Sequence, residues 1–199
     1  MASPTRAETQ ARTRQLVLDA AERLFLANGF AATSLEDIAR EAGFSKGAVY
    51  SNFAGKTDLF LAIVEAQFAS LTDQLRAVVT TGDDLVSQLA AVATVYERYV
   101  QVETGWARWF PQLAAIAAQD PEARQRFAAL VQGMEHAIRD LLAEQQAALG
   151  ISPALPPADA AALVVALVVG LTVRSLQDLD SPPALFHAAL ARLLLPDLS

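Results

Sequence analysis

The tripeptide Gly55-Lys56-Thr57 is the first candidate for chemistry, because the same residues close the phosphate-binding loop of many nucleotide hydrolases. That loop also needs a preceding strand and a glycine five residues before the Gly-Lys pair, but position 50 is Tyr50 and the segment before it favours a helix. A nucleotide hydrolase is therefore not expected. Lys56 instead falls in the first turn of a predicted helix, where free backbone amides and the helix dipole attract anions such as DNA phosphates.

Other residue arrangements that support catalysis are missing from the sequence. There is no cysteine, and the two histidines, His136 and His187, fall in different predicted helices. Neither paired carboxylates nor the zinc-binding pattern His-Glu-x-x-His occurs. We therefore expect a protein that is not an enzyme and that uses no metal or cofactor.

Charge is distributed unevenly along the 199 residues, 53% of which are hydrophobic. The formal net charge is −7, yet residues 1–56 carry seven basic and six acidic side chains while residues 57–199 sum to −8. This pattern indicates a globular protein whose two parts meet different partners. The first residues are polar and lack the apolar core of a signal peptide, so a cytoplasmic protein is expected.

Helical periodicity extends along almost the whole chain, and no segment alternates with the period of two that is typical of a strand. The sequence therefore predicts an all-α fold of about nine helices. Asp120 followed by Pro121 is a clear helix start. The predicted helices are Ala7–Asn28, Leu35–Ala42, Lys46–Phe53, Lys56–Thr80, Leu85–Val102, Trp106–Ala118, Pro121–Leu149, Ala158–Leu179 and a last one that ends near Leu195.

Residues 33–53, "TSLEDIAREAGFSKGAVYSNF", have the layout of a helix-turn-helix: a helix, a short turn with Gly43, and a second short helix. Ala39 is small enough for the second helix to cross closely over the first. The residues that face outward and would meet DNA are Ser45, Lys46, Gly47, Ala48, Tyr50 and Asn52. Two alternatives stay open: Ser45 can serve only as a helix cap, and the segment can be a helical corner that binds no DNA.

The same segment resembles the tetracycline-repressor (TetR) family of transcriptional regulators. The resemblance rests on residue types and spacing at Thr33, Ile38, Ala39, Ala42, Gly43, Ser45, Gly47, Tyr50, Phe53 and Lys56. It implies a helix-turn-helix DNA-binding domain at 1–55 and an effector-binding and dimerisation domain at 56–199. It also implies a homodimer that reads a near-palindromic double-stranded DNA operator with paired helices in successive major grooves.

Carried over by position, the resemblance gives two kinds of DNA contact. Thr33, Ser45, Tyr50 and Lys56 are expected to contact the DNA backbone, whereas Lys46, Gly47 and Ala48 approach base edges. Two residues depart from the family pattern: Ala48 stands where threonine is common, and Asn52 where histidine is common. The base sequence that the family reads is therefore not transferable to this chain.

The segment 160–173 is apolar on nearly every side of its predicted helix, which indicates burial on nearly every side. Its fourteen residues are too few to span a bilayer, so no membrane partner is expected. Packing against a second subunit is the preferred interpretation, and an ordinary monomer core is the alternative. The residues assigned to the dimer interface are Ala162, Leu163, Ala166, Leu167, Gly170, Leu171, Phe186 and Leu190.

Aromatic residues gather in the middle of the chain and predict a pocket for a small apolar or aromatic effector. The candidates are Tyr96, Tyr99, Trp106, Trp109, Phe110, Phe127, Met134 and His136, although each can also simply pack in the core. The resulting hypothesis is a dimeric repressor that an effector releases from its operator. The alternatives are a DNA-binding regulator without an effector, an activator, and, from another class, a helical lipid-binding or interaction protein.

Overall fold

The computed structural model describes residues 5–81, 84–100, 109–149, 155–176 and 183–194, and in these ranges the chain is all-α. The predicted helical fold is therefore confirmed, with nine helices and no strand in the described ranges. The helices are α1 Arg6–Asn28, α2 Leu35–Ala42, α3 Lys46–Tyr50, α4 Lys56–Thr81, α5 Leu85–Val100, α6 Trp109–Gln119, α7 Pro121–Leu149, α8 Pro157–Leu176 and α9 Pro183–Leu194.

Helix starts follow local capping chemistry. Ser34 accepts a hydrogen bond from the Asp37 amide, and the Asp37 carboxylate accepts one from the Ser34 amide, which together form a capping box at the start of α2. The Asp120 carboxylate accepts from the amides of Glu122 and Ala123, as expected for the residue that caps α7. Both starts are encoded within four residues, which is why the sequence predicted them.

The end of α3 differs from the prediction, because the helix stops at Tyr50 and not at Phe53. The amides of Asn52 and Phe53 both donate to the carbonyl of Val49, so the chain tightens into a turn there. The predicted starts and ends at Trp106, Val102, Leu179 and Leu195 lie outside the described residues.

The chain forms two compact units. One contains Met1–Gln67 and Ile116–Arg126, and the other contains Phe68–Ala115 and Phe127–Ser199. We call them the head and the body. The head is larger than the domain 1–55 expected from the sequence, since it includes the first three turns of α4 and the corner between α6 and α7.

The head has an aromatic centre. Phe25 and Phe60 are almost fully buried, and the ring centroids of Phe25, Phe30 and Phe60 lie 4.9 to 5.7 Å apart in tilted and edge-on pairs. Val49 of α3 is also fully buried, so α3 is held by its inner face. Arg126 of α7 donates to Asp58 at 2.7 Å and to Glu65 at 2.7 Å, which joins α7 to α4.

The body is organised around the inner sides of α5, α8 and α9. Tyr96 stacks on Phe186 with centroids 3.9 Å apart, and Leu171 and Leu190 are buried in the same cluster. In α8 the window Pro157–Arg174 is long and apolar enough to cross a membrane by length and composition. The apolar segment of fourteen residues that the sequence analysis identified is therefore shorter than this window of 18 residues. The core helix of a soluble protein passes the same test, and the inner side of α8 is buried within the body.

Candidate nucleic-acid interface and effector cavity

The turn between α2 and α3 fixes how α3 is presented. Gly43 has φ of 76°, in the left-handed region that favours glycine, and its amide donates to the carbonyl of Arg40. Ser45 then caps α3, with its hydroxyl accepting from the Ala48 amide at 3.3 Å. The capping role of Ser45 is thus present, and because Ser45 is exposed its hydroxyl also faces solvent.

The outer side of α3 carries most of the residues predicted to meet DNA. Lys46, Gly47 and Tyr50 are exposed, and the side chain of Tyr50 is 50% exposed despite its size. Ala48 is half-buried. Asn52 is also half-buried, and its amide donates to the carbonyl of Ala48 at 2.8 Å, which ties that side chain to its own chain.

Lys46 is not a free cation on this surface. Its ammonium forms an ion pair with Glu36 of α2, and it lies 5.8 Å from the centre of the Tyr50 ring. The hydrogen bond that Lys46 donates to the Glu36 carboxylate raises the pKa of the lysine above its usual value. Sequence reasoning missed Glu36, since its only signal is the spacing of ten residues across a turn whose geometry has to be known first.

Lys56 is more enclosed than expected. Its ammonium donates to the carbonyls of Thr33 at 2.8 Å and Ala31 at 3.3 Å, and it lies 4.4 Å from the centre of the Phe30 ring. Burial lowers its pKa. Two of its three N–H donors therefore hold the loop between α1 and α2, and one is left for an outside acceptor.

Thr33 does not reach the surface, which corrects its predicted contact with the DNA backbone. The residue is 2% exposed, and its hydroxyl donates to the carbonyls of Gly29 at 2.9 Å and Leu24 at 3.3 Å. A threonine that satisfies carbonyls at the end of a helix looks the same in sequence as one that faces a partner. Its role in this fold is to close the loop after α1.

Arg14 is a second residue that the candidate set omitted. Its guanidinium donates to the backbone carbonyl of Asn52 at 3.0 Å and lies 4.2 Å from the centre of the Phe53 ring. The arginine therefore fastens α1 to the turn that follows α3. The sequence places Arg14 in the first predicted helix, but it does not show a contact with a residue 38 positions further along the chain.

The body contains an apolar cavity of about 120 Å³ with walls from α4, α5, α7, α8 and α9. Of the predicted effector residues, Tyr96, Tyr99 and Met134 line it. Trp109 is buried and Phe127 half-buried, but neither is part of the wall, and His136 is exposed. Trp106 and the side chain of Phe110 lie outside the described residues. The sequence search missed the aliphatic wall because its residues come from five separate helices.

The residues assigned to a dimer interface divide into two sets. Leu171, Phe186 and Leu190 are buried inside the body, and the last two line the cavity, so they do not present a surface to a partner. Leu167 is half-buried against the same cluster. The outward set consists of Ala162, Leu163, Ala166 and Gly170, and the exposed Val173 and Leu185 extend the apolar character of α8 and α9.

Together, the glycine turn, the capped α3 and the exposed side of that helix define a helix-turn-helix protein. Residues 17–63 match the family described as bacterial regulatory proteins, tetR family. The match covers α2, α3 and parts of α1 and α4, so these head helices resemble those of the tetR family. In the described residues, no three His, Asp or Glu side chains are grouped so as to hold a metal ion.

Individual relatives agree with this assignment. The HTH-type transcriptional regulator AcrR of Shigella flexneri is 49% identical over 65 residues, which are 33% of this chain and 30% of that protein. The chain thus matches about a third of the length of this curated relative. The fatty acid degradation regulator FadR of Bacillus halodurans has a TM-score of 0.72 at 17% identity, covering 94% of this chain and 96% of that one.

A second solved structure extends the likeness of the fold. FadR of Bacillus subtilis, in complex with stearoyl-CoA, has a TM-score of 0.71 at 18% identity and covers 91% of this chain and 97% of that one. Identities this low show the shared helical fold along nearly the whole chain. They do not show which operator sequence or which ligand this chain binds.

Proposed function

We propose that this chain is a transcriptional repressor that binds operator DNA as a homodimer through α3 and is released by a small molecule in the body. The observation that carries the proposal is the outer side of α3, where an exposed tyrosine, a lysine and a bare glycine stand side by side after a glycine turn. In the second helix of a helix-turn-helix, these are the positions that meet DNA. Operator DNA as partner implies a cytoplasmic protein.

The proposed contacts fall into two groups. The hydroxyls of Ser45 and Tyr50 and the remaining N–H donor of Lys56 bind phosphates, and they set the register of the protein on the duplex. Lys46, Gly47 and Ala48 approach the base edges in the major groove, where the methyl group of Ala48 suits a thymine methyl. With its amide bonded to Ala48, Asn52 supports the end of α3 in this scheme.

The second element of the proposal is self-association through α8 and α9. Leu163, Val173 and Leu185 are each 39 to 46% exposed, which is unusual for large apolar side chains on neighbouring helices. A second copy of the chain would cover them through an interface with two-fold symmetry. Two copies of α3 would then meet half-sites ~34 Å apart on the operator.

The third element is release by an effector in the cavity. The cavity is enclosed by apolar side chains of five helices, as small-molecule sites usually are. The Bacillus subtilis regulator FadR, which shares this fold, is in complex with stearoyl-CoA, and this supports a small-molecule ligand for the present chain as well. Such a ligand releases DNA only if it binds one arrangement of the two heads more tightly than the other.

The test is DNA binding by the purified full-length chain, measured by fluorescence anisotropy on the DNA upstream of its own gene between about 50 and 200 mM salt. We expect binding that weakens with salt. Lys46→Ala should weaken it and lower the salt slope, because one positive charge is lost from the surface that meets the DNA. Arg139→Ala removes the same charge from an exposed pair in the body and should leave binding unchanged.

Tyr50→Phe completes the test, since it removes one hydroxyl from an exposed ring and should weaken binding to all sequences alike. Salt-independent binding, or a Lys46→Ala, Tyr50→Phe double variant that binds like the unmodified chain, would rule out the regulator. A reporter gene behind the same upstream DNA then decides the sign: expression should rise when the chain is deleted, whereas a fall would identify an activator.

A further inference from the structure

We infer that the cavity takes an uncharged, elongated and mainly apolar molecule with a single hydrogen-bonding group that meets the hydroxyl of Tyr96. The inference concerns the same cavity as the effector proposal and rests on it for the effect on DNA. Binding itself can be measured without DNA, so the two can fail separately.

The absence of charge in the wall selects for an uncharged ligand. Among the described residues, no Asp, Glu, Lys, Arg or His lines the cavity, and its polar members are Gln88, Tyr96, Tyr99 and Gln145. Moving an ion from water into such surroundings without a partner of opposite charge is strongly unfavourable. A carboxylate, a phosphate or an ammonium group would therefore be rejected at this wall, whereas a neutral chain gains from apolar burial.

The reach of the wall selects for an elongated ligand. Wall residues extend from Met134 to Gln145 along α7 and from Pro157 to Val168 along α8. At 1.5 Å per residue, each stretch is about 16 Å long. A straight aliphatic chain of about ten carbons fits within that length, and the aliphatic side chains of α4 and α8 offer it no competing polar contact.

The hydroxyl of Tyr96 supplies the polar contact. Tyr96 is 5% exposed and is one of the residues that line the cavity, and its buried hydroxyl has no hydrogen-bond partner among the described residues. The stack on Phe186 holds the ring in place. Leaving a buried hydroxyl unpaired is unfavourable, so a ligand oxygen at that point would form a hydrogen bond that the fold itself does not make. Burial raises the pKa of Tyr96 to about 12, which keeps the hydroxyl protonated and able to donate.

Thr172 provides a matched control in the same body. It is fully buried and its hydroxyl also has no hydrogen-bond partner among the described residues, but it is not part of the cavity wall. Tyr96→Phe and Thr172→Val each delete one buried hydroxyl with little change of shape. Of the two residues, only Tyr96 belongs to the cavity wall, so only Tyr96→Phe is expected to change the affinity for a ligand.

The experiment uses the full-length chain and diphenylhexatriene, a hydrocarbon dye without hydrogen-bonding groups. We expect the dye to bind and to be displaced by 1-decanol at least tenfold more effectively than by sodium decanoate at pH 8, where the carboxylate is ionised. Tyr96→Phe should weaken decanol by about fivefold, the effect of one neutral hydrogen bond, and leave dye affinity unchanged. Thr172→Val should change neither.

Each contrary result would overturn a specific part of the inference about the ligand. Decanoate that displaces the dye as well as decanol does would exclude the uncharged class, and an unchanged decanol affinity in Tyr96→Phe would exclude the hydroxyl contact. Failure of the dye to bind would exclude the ligand class altogether. The comparison of decanol with decanoate needs no variant, so it stands even if Tyr96→Phe does not fold. If decanol binds but the chain has no affinity for DNA, the proposed regulator function is wrong and the inference about the ligand still holds.

Discussion

Gly47 is exposed on α3, and none of the residues that the structure describes requires glycine there. Only Gly29 and Gly43 have positive φ among the described residues, and a Cβ on Gly47 would meet nothing closer than the Ser45 hydroxyl at 3.8 Å. Glycine inside a helix is less favourable than alanine by roughly 0.5–1 kcal/mol. A bare backbone at this position is what the proposed close approach of DNA to α3 would require.

Gly47→Ala should consequently separate stability from binding. We expect the free energy of unfolding in urea to rise by about 0.5 kcal/mol or more, while operator affinity falls because the added methyl group keeps α3 from the DNA. Gly43→Ala is the matched control: its φ of 76° makes alanine strained, so it should lower stability by about 1 kcal/mol. Unchanged operator affinity in Gly47→Ala would remove this glycine from the interface.

Glu36 partly neutralises Lys46 before any DNA arrives. The pair is exposed, so Glu36→Gln should change the melting temperature little. It should raise DNA affinity at low salt and increase the salt slope, because the positive charge of Lys46 is then no longer neutralised by Glu36 at the surface that meets the DNA. Glu144→Gln, which removes the same charge from an exposed pair with Arg76 in the body, is the control for net charge. Equal effects of the two variants would mean that net charge alone acts.

At the scale of elements, the sequence predicted what is encoded locally. The caps at Ser34 and Asp120 and the left-handed Gly43 lie within a few residues of the helix ends that they set, and these positions agree with the structure. The environment of Thr33, the pair of Lys46 with Glu36 and the wall of the cavity depend on contacts between helices. Periodicity identifies an inner side of a helix but not which residue it meets, so those features were missed or misplaced.

Arg126 joins α7 to α4, and the contribution of this junction to the stability of the fold should depend on pH. Burial by itself would raise the pKa of Asp58. The hydrogen bonds from the Ala54 amide and the Arg126 guanidinium outweigh burial and lower that pKa below its usual value of 3.8. A carboxylate with a lowered pKa stabilises the fold above its ordinary pKa, and that contribution is lost as pH falls through the lowered one. Arg126→Leu should therefore cost about 1–3 kcal/mol near pH 7 and progressively less below about pH 4.

Urea unfolding between about pH 3 and pH 7 measures that difference. Arg139→Leu removes an arginine of the same kind from an exposed pair with Asp140 and should cost little at any pH. A penalty for Arg126→Leu that stays constant across the range would show that lost packing of the long side chain, and not the ion pairs, stabilises the junction.

At the scale of the whole molecule, the exposed apolar side of α8 and α9 should decide the assembly state. Leu163→Glu places a charge on the proposed interface, so we expect a mass of one chain by sedimentation at micromolar concentration and weak binding to a full operator. Leu16→Glu makes the same change at a similarly exposed leucine of α1 and should leave a mass of two chains. A dimer that survives Leu163→Glu would place self-association on another surface.

Coupling between ligand and operator must be reciprocal if one ligand shifts one equilibrium of the dimer. Whatever factor 1-decanol or a tighter cavity ligand removes from operator affinity, saturating operator must remove from the affinity of that ligand. Anisotropy with and without ligand measures the change in operator affinity. Dye displacement with and without operator measures the change in ligand affinity. We expect both to exceed about fivefold and to agree, and to fall together to one in Val165→Phe, which fills the cavity wall of α8. Ligand binding that is indifferent to operator would leave a regulator whose cavity does not control it.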